Sequence, residues 1–541
     1  MSKEHLEQLR PLFAGLCLVA VSRLCYKFAL PKPLPNIPHD PVTNILGHVL
    51  DLARFSRGGE KDGAKWFDSM TAKHGPLCQV LIGHTRLVII ADMAEVERLL
   101  LRGKSTDQSR WVRESFGTVI PTGQLALPTN DMWRRHRQLM GPSMSRRYLE
   151  RMSVRISAGA NSLVRLWIRK VELVGSKTFS AEQDLKLAVM DVMPSGDLPS
   201  SVDIACASLP TTLPPCYADR EVVEIPQVAP PELQNSIGNL MQSVEKLNSM
   251  LLPACISRFF VQTLSASWRE SWRIVTSYID SKIIEARGRE IQPSECKQGK
   301  ELVTDANCVV EMIAQREARE GLEKFDAGEL RDELVTFMVA GQDTTGVVLS
   351  WLVKFLPQDM EIQQKLHDEI CTVYGSVSDD EPLDFDILTS AEKLPILEAV
   401  VAESLRCART VPNTMRELIE DEVILGRHVP KGTMLMFPVG TLSAQVSDWG
   451  SDASFWRPNR WLKADGSFDA NAGPSFPFGI GQRACPGQRL AMLELRIFVA
   501  ALSRSFVFKP VAKPVAGHEA FIKISRQPEH CYVSLERRPT T

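Results

Sequence analysis

The sequence predicts a helical chain with a smaller β region, and three stretches carry that reading. Asp326-x-x-Glu329 has the form of a capping box and opens a long helical run over residues 330–355. A second helical run, residues 490–502, follows a loop of glycines around a single cysteine. Residues 77–82 and 86–91 are apolar and β-branched, and Gly83-His84-Thr85 between them suggests a hairpin.

At 541 residues the chain is long enough for several domains, on a prior of about 100–200 residues each. Formal net charge is -2 and charged residues make up 24%, so no basic field points to nucleic acid. The 12 cysteines stand singly with no C-x-x-C pair, which argues against a disulfide framework or a zinc site. No N-x-S/T acceptor occurs either, so most of the chain is expected to face a reducing compartment.

In chain order, residues 11–22 carry no charge; Arg23 and Lys27 break the run before apolar residues resume to Leu30. That is short of the about 20 residues a bilayer core needs, and a signal-peptide core or a buried helix are the alternatives. No small-x-small cleavage site follows; Pro31-Lys32-Pro33-Leu34-Pro35 does. Arg23 and Lys27 can snorkel, which makes residues 11–30 a marginal anchor. Together with Lys32 they lie on its C-terminal side and put the following domain in the cytosol.

Lys73-His74-Gly75-Pro76 reads as a turn into the hairpin. Residues 105–130 show no clear period and read as a long loop, with Trp111 and Phe116 as its apolar candidates. Trp133 and Arg137 stand four apart on one helix face, whose plain reading is a solvated basic face. Eight prolines between 192 and 232 leave little regular helix there. Inside the long helical run, Ala340-Gly341-Gln342-Asp343-Thr344-Thr345 places a glycine and two β-branched residues where helices disfavour them. Such a broken rule suggests a functional site; a glycine that permits close packing is the alternative. Pro357 comes early enough to leave the junction to the next helix open. Glu403 and Arg406 are an i,i+3 pair, usually a surface salt bridge worth less than about 1 kcal/mol.

The cysteine loop runs Phe476-Pro477-Phe478-Gly479-Ile480-Gly481-Gln482-Arg483-Ala484-Cys485-Pro486-Gly487. Its glycines permit positive φ and a close approach to a flat ligand. Pro486 withholds an N–H, the N–H groups that follow can point back at a thiolate, and Arg483 is placed to pair with an anion. Cys485 is therefore expected to have a lowered pKa and to act as a thiolate ligand. A lone loop cysteine is most often structural. Residues 479–484 also match the dinucleotide fingerprint G-x-G-x-x-G/A, but Phe-Pro-Phe precedes them instead of a strand and no βαβ unit surrounds them.

Taken whole, Phe478-x-x-Gly481-x-Arg483-x-Cys485-x-Gly487 resembles the haem-binding loop of the cytochrome P-450 family, and Ala491 and Glu494 continue that pattern into the next helix. Trp133-x-x-x-Arg137, the 340–345 stretch, and Glu403-x-x-Arg406 with Pro458-Asn459-Arg460 resemble three further motifs, in the family's order. The resemblance implies a mainly α unit with a smaller β region, the cytochrome P-450 fold. That fold is a triangular helical prism with haem between the long central helix and the helix of the cysteine loop. It also implies a membrane anchor at residues 1–30, a proline-rich hinge at 31–45 and a catalytic domain at 46–541.

Roles follow from the same resemblance. Haem b (iron protoporphyrin IX) takes Cys485 as its axial thiolate. Trp133 and Arg137 meet one propionate and Arg416, in Pro412-x-x-x-Arg416, the second; Phe478, Arg483 and Gly487 surround the cofactor. Thr344 supplies a hydroxyl to dioxygen or its water network, and Asp343 relays protons. Glu403, Arg406 and Arg460 are structural, and Trp111, Phe116 and Val411 are substrate-facing. The implied reaction inserts one oxygen atom of O2 into a small lipophilic substrate, in the style of fungal secondary metabolism. No flavin or nicotinamide domain is legible, so electrons are expected from an NADPH-cytochrome P-450 reductase. The implied location is the endoplasmic reticulum membrane, with the catalytic domain cytosolic. A haem-thiolate isomerase or dehydratase needing no reductase, and a non-catalytic haem sensor, are the alternatives; the intact Asp343-Thr344 pair argues against the first. Met360 stands where the family commonly has proline and Asn459 where it more often has Glu. Residues 192–232 match worst, so the substrate is not legible.

Overall fold

Strand formation begins where the hairpin signal lies. In this computed structural model β1 (Leu77–Ile82) pairs antiparallel with β2 (Thr85–Ile90), and Ile82 faces Thr85. The turn is thus two residues, Gly83-His84, with Gly83 at φ 56°, and the second strand starts one residue earlier than expected. The structure describes residues 26–27, 29–192, 200–212, 217, 220–225, 231–249, 254–291, 308–319, 325–375 and 383–539. These fall into two compact units, Met1–Ser109 with Asn413–Pro438, and Arg110–Pro412 with Val439–Thr541.

The first unit is built on a five-stranded sheet. Its order is β1-β2-β5-β4-β3, where β3 is Thr106–Gln108, β4 is Thr414–Leu418 and β5 is Met434–Phe437. β5 runs parallel to β2 and antiparallel to β4, with Ile89 opposite Met436 and Arg416 opposite Leu435. Leu87, Val88, Ile89 and Ile90 are all buried, so both faces of β2 are covered, as its unbroken apolar sequence requires. The proline-rich segment expected as a hinge is tied to β1. Gln79 accepts from Leu34 N and donates to the carbonyls of Leu34 and Ile37, and those two side chains are buried. Most of the expected anchor lies outside the described residues. Among the described residues no helix is long and apolar enough to cross a membrane.

The second unit is mainly helical, with a four-stranded and a two-stranded sheet beside the helices. Five of its helices carry the candidate site: α1 (Asp131–Met140), α2 (Arg146–Val174), α3 (Ala327–Phe355), α4 (Pro395–Ala408) and α5 (Gln488–Ser505). Residues 347–355 of α3 are buried on every side, which is why that half reads as largely apolar without a period. They join one core with Trp167 of α2, Val400 of α4 and Phe498 of α5.

Several expectations need correction. The stretch 105–130 is not one loop: it holds β3 and a helix, Arg110–Phe116, elements too short for a periodic signal. The proline-rich 192–232 stretch needs no such correction: its described residues hold only a short helix, Ser201–Ala207, whose cap Ser200 accepts from Asp203 N, and several of the prolines lie outside the described residues. Asp326 caps α3 by accepting from Gly328 N, but Glu329 pairs with Arg135, so the reciprocal capping box does not form. The junction after α3 is orderly. Pro357 sits in a 3-10 turn, Leu356–Gln358, where its missing N–H costs little, and Asp359 then caps Met360–Tyr374. The 340–345 stretch does not interrupt the helix.

Candidate functional site

The cysteine loop is a small closed structure. Gly479 and Gly481 adopt φ 66° and 75°, a region side chains strongly disfavour, so these two positions require glycine. The turns they make let Cys485 N donate to Phe478 O at 2.8 Å, which closes the loop on itself. Gly487 is the cap residue of α5, and its N–H points at the Cys485 sulfur. Cys485 is in no disulfide and is exposed. The expected lowering of its pKa is not found. The protein around the exposed thiol desolvates the thiolate and holds the pKa above the ordinary value, while the Gly487 N–H and the Arg137 charge act the other way.

Two arginines and one tryptophan hold this loop. Arg483 donates to Thr129 Oγ1 at 2.7 Å, Leu127 O at 3.0 Å and Gln124 O at 3.2 Å, and its guanidinium lies 4.3 Å from the Trp133 ring centroid. Arg137, one turn further along α1, lies 5.4 Å from the same ring and donates to Ala484 O at 2.8 Å and Gln482 O at 3.2 Å. Trp133 therefore sits between two cations, and its own backbone N is capped by Asn130. The basic helix face is a clamp on the cysteine loop rather than a solvated surface.

A buried network behind the clamp was not legible in the sequence. Glu333 of α3 accepts from Gln124 N and Nε2 at 2.8 Å and pairs with His136 Nδ1 at 2.8 Å. Asp332 bonds the backbone and hydroxyl of Thr122, and burial pushes its carboxyl up against those bonds. Residues 122–129 thus run from acids on α3 to the guanidinium of Arg483. No motif announces this, because the partners stand about 200 residues apart.

On α3, Thr344 Oγ1 donates to Ala340 O at 2.7 Å. Asp343 accepts from Ser525 Oγ and from Gln527 Nε2 at 3.2 Å. Thr345 lies beside the fully buried carboxyl of Glu494 on α5, whose Oε1 meets no hydrogen-bond partner among the described residues; α3 and α5 pack together in the main core. The expected structural trio is also assembled. Buried Glu403 accepts from Arg406 Nε and Nη2 at 2.7 Å, Arg460 Nε at 2.9 Å and Trp461 Nε1 at 2.9 Å. It is not a surface pair: Arg406 also donates to Ala453 O at 2.8 Å, and through Ala453 and Arg460 it fixes residues 449–461.

The remaining expected residues are spread out. Arg416 lies on β4 of the first unit, where it donates to Met415 O at 2.8 Å and Thr414 Oγ1 at 3.0 Å. Val411 and Trp111 are exposed, whereas Phe116 packs against a second core with Leu139 and Val335. Phe478 packs against the main core.

These residues fit a haem. Cys485 offers a soft sulfur ligand open to the surroundings, with an N–H aimed at it, at the N-terminus of an 18-residue helix. Arg137 is partly buried, stacks on Trp133, hydrogen-bonds backbone carbonyls and makes, among the described residues, no ion pair, which suits a carboxylate such as a propionate.

Comparison with known proteins agrees. The family described as cytochrome P-450 matches residues 38–533. A cytochrome P-450 monooxygenase of Penicillium crustosum, xilC, is 28% identical, over 98% of this chain and 97% of its own. One from Pestalotiopsis microspora is 27% identical over 96% of each chain, and one from Fusarium sporotrichioides is 26% identical over 97% of this chain and 99% of its own.

Proposed function

This chain belongs to the cytochrome P-450 family and is a monooxygenase, and from that premise we propose that it oxygenates a small lipophilic compound of fungal secondary metabolism. The observation that carries the reading is a ligand-competent Cys485 together with an intact Asp343-Thr344 on α3, a helix packed with α5 in the main core. Haem b, when bound, supplies the oxidation of the substrate by one atom of O2. The chain supplies the rest. Cys485 would bind the iron, Arg137 would hold a carboxylate, and Glu403, Arg406 and Arg460 would keep the cysteine loop in place. Asp343 takes protons from solvent and passes them inward, and the Thr344 hydroxyl orders the water that receives them.

Electrons come from an NADPH-cytochrome P-450 reductase, and residues 1–30 anchor the protein to the endoplasmic reticulum with its catalytic part in the cytosol. The sequence pattern of residues 11–35 supports this placement. Untargeted comparison of lipophilic metabolites in cells with and without the gene tests the function. The expected result is a compound that accumulates without the protein and gains one oxygen when NADPH, reductase and purified protein are added. Conversion without reductase and NADPH would overturn the monooxygenase assignment for this substrate. Deleting residues 1–30 is expected to move much of the protein to the soluble fraction, and full retention in membranes would overturn the anchor.

A further inference from the structure

Both carboxylate oxygens of Asp343 are held from outside α3. Ser525 Oγ donates to Oδ2, and Gln527 Nε2 donates to Oδ1 at 3.2 Å. Gln527 Nε2 also donates to Ser525 Oγ at 3.4 Å, so the serine oxygen accepts there and its own hydrogen goes to Asp343. The far end of the Gln527 amide faces Lys186, whose Nζ donates to Oε1 at 3.4 Å. Lys186 is in turn held by Glu182 at 2.6 Å.

The lysine decides how Gln527 is oriented. An ammonium only donates, so the amide must turn its carbonyl toward Lys186. That leaves the NH2 group for Asp343 and Ser525. Exposure rises along the row: Ser525 is 0% and Gln527 5% exposed, while the side chains of Lys186 and Glu182 are 25% and 45% exposed. Glu245, on helix Glu232–Ser249, flanks the row. Burial pushes its carboxyl up, Lys523 pulls it down, and the negative charge of Asp343 adds to the rise. Lys186 packs beside Gly346, one turn from Asp343 on α3, at a distance where a Cβ added to the glycine would make ordinary van der Waals contact.

From this geometry we propose that Gln527, oriented by Lys186, is a positioning residue for proton delivery. With Ser525 it holds the Asp343 carboxylate in one pose, and the Lys186-Glu182 end is where the row meets solvent. The inference rests on the reading of Asp343 as the residue that passes protons inward. Asp343 takes one proton from solvent water and gives one up, so it ends as it began; Gln527 orients it and exchanges none.

The test uses the full-length haem-loaded protein with reductase, and the variants Gln527→Leu, Lys186→Met, Lys186→Arg and Asp343→Asn. One readout is independent of turnover: the infrared carboxylate band that Asp343→Asn removes. The other is product formed per NADPH consumed, with 7-ethoxycoumarin as a lipophilic probe. In Gln527→Leu the band is expected to shift and the product ratio to fall by about tenfold, the scale for an outer partner of a reactive group. Lys186→Met should shift the band the same way by less, and Lys186→Arg should restore it. Because the Lys186 side chain is partly exposed, that pair serves if Gln527→Leu fails to fold. An unshifted band in Gln527→Leu or Lys186→Met overturns the proposal. So does an unchanged product ratio in Gln527→Leu beside a lowered one in Asp343→Asn. An unchanged ratio in Asp343→Asn itself instead removes the proton role of Asp343, and the positioning role falls with it.

Discussion

Thr345 of α3 lies beside Glu494 of α5 inside the protein, both side chains buried, and Glu494 is the more constrained of the two: its Oε1 meets no hydrogen-bond partner among the described residues. Burial pushes its carboxyl from 4.5 up to about 8, with the nearby Thr345 hydroxyl acting the other way, so at neutral pH the side chain is largely a neutral acid. A neutral acid can close the contact between the two helices that flank the candidate haem site without placing an unpaired charge there.

That state sets a pH dependence. The folded protein keeps the Glu494 proton until about pH 8, whereas the unfolded chain releases it near 4.5. Between these values unfolding releases a proton, so this group's contribution is full below about pH 4.5 and is lost as pH rises toward 8. Glu369, whose carboxyl bonds Ile396 N and Leu397 N at the start of α4, is pushed up to about 7 and acts with the same sign. Thermal midpoints of the wild type are expected to fall across this window. Glu494→Gln should flatten the part nearest pH 8, and parallel curves for the two proteins would show that Glu494 does not titrate there.

The Glu403 network makes a stability prediction. Five donors converge on one fully buried carboxylate: two from Arg406, one from Arg460, one from Trp461, and Arg457 N at 2.9 Å. Glu403→Gln leaves the buried Arg406 guanidinium without its counter-charge and Arg460 with only Asp452 at 3.5 Å, at a cost of about 3–5 kcal/mol. Arg406→Lys loses the two-pronged contact and the bonds to Ala453 and Ser443, since an ammonium cannot span them. Urea unfolding midpoints and the yield of haem-loaded protein should both drop in each variant. A Glu403→Gln midpoint equal to wild type would show that the network does not stabilise the fold.

What was legible in the sequence depended on distance along the chain. The hairpin, α3, α5 and the cysteine loop are local patterns, and each appears within a residue or a few of its expected place. The pair Glu403 and Arg406 is local too, but its burial is not, because Arg460 and Trp461 arrive from more than 50 residues away. The segment 122–129 was opaque for the same reason: its order comes from Asp332, Glu333 and Arg483, none of them near in sequence. Ser525 and Gln527 carry no signal at all until the fold brings them to Asp343. The pKa of Cys485 failed for a different reason. Counting positive neighbours predicted a fall, but desolvation outweighs them.

Cys485 has the simplest ligand test. If it is the axial thiolate, the reduced protein with carbon monoxide should show the red-shifted Soret band of thiolate ligation, and Cys485→Ala should lose it. Cys407 and Cys531 provide controls. Burial pushes both thiols up to about 12, so neither is poised to act as a thiolate, and Cys407→Ser should keep the band. A Cys485→Ala protein that retained the band would sink the assignment.

Thr344 separates catalysis from haem binding. Its hydroxyl donates to Ala340 O within the helix, which leaves its lone pairs free to accept from water. Thr344→Ala removes that acceptor and leaves α3 otherwise intact, because a back-bonded threonine adds little to helix stability. Folding and the carbon monoxide band should therefore be unchanged. NADPH should still be consumed, but product per NADPH should fall by about 100-fold as hydrogen peroxide rises, the lower end of the scale at which a positioned proton-handling group acts. Thr344→Ser keeps a hydroxyl at the same place and should recover most of the loss, which a purely steric role for the threonine methyl would not allow. Product and peroxide measured per NADPH in the three proteins decide the matter. An unchanged ratio in Thr344→Ala would move the water-ordering role to another group on α3 or to the substrate itself.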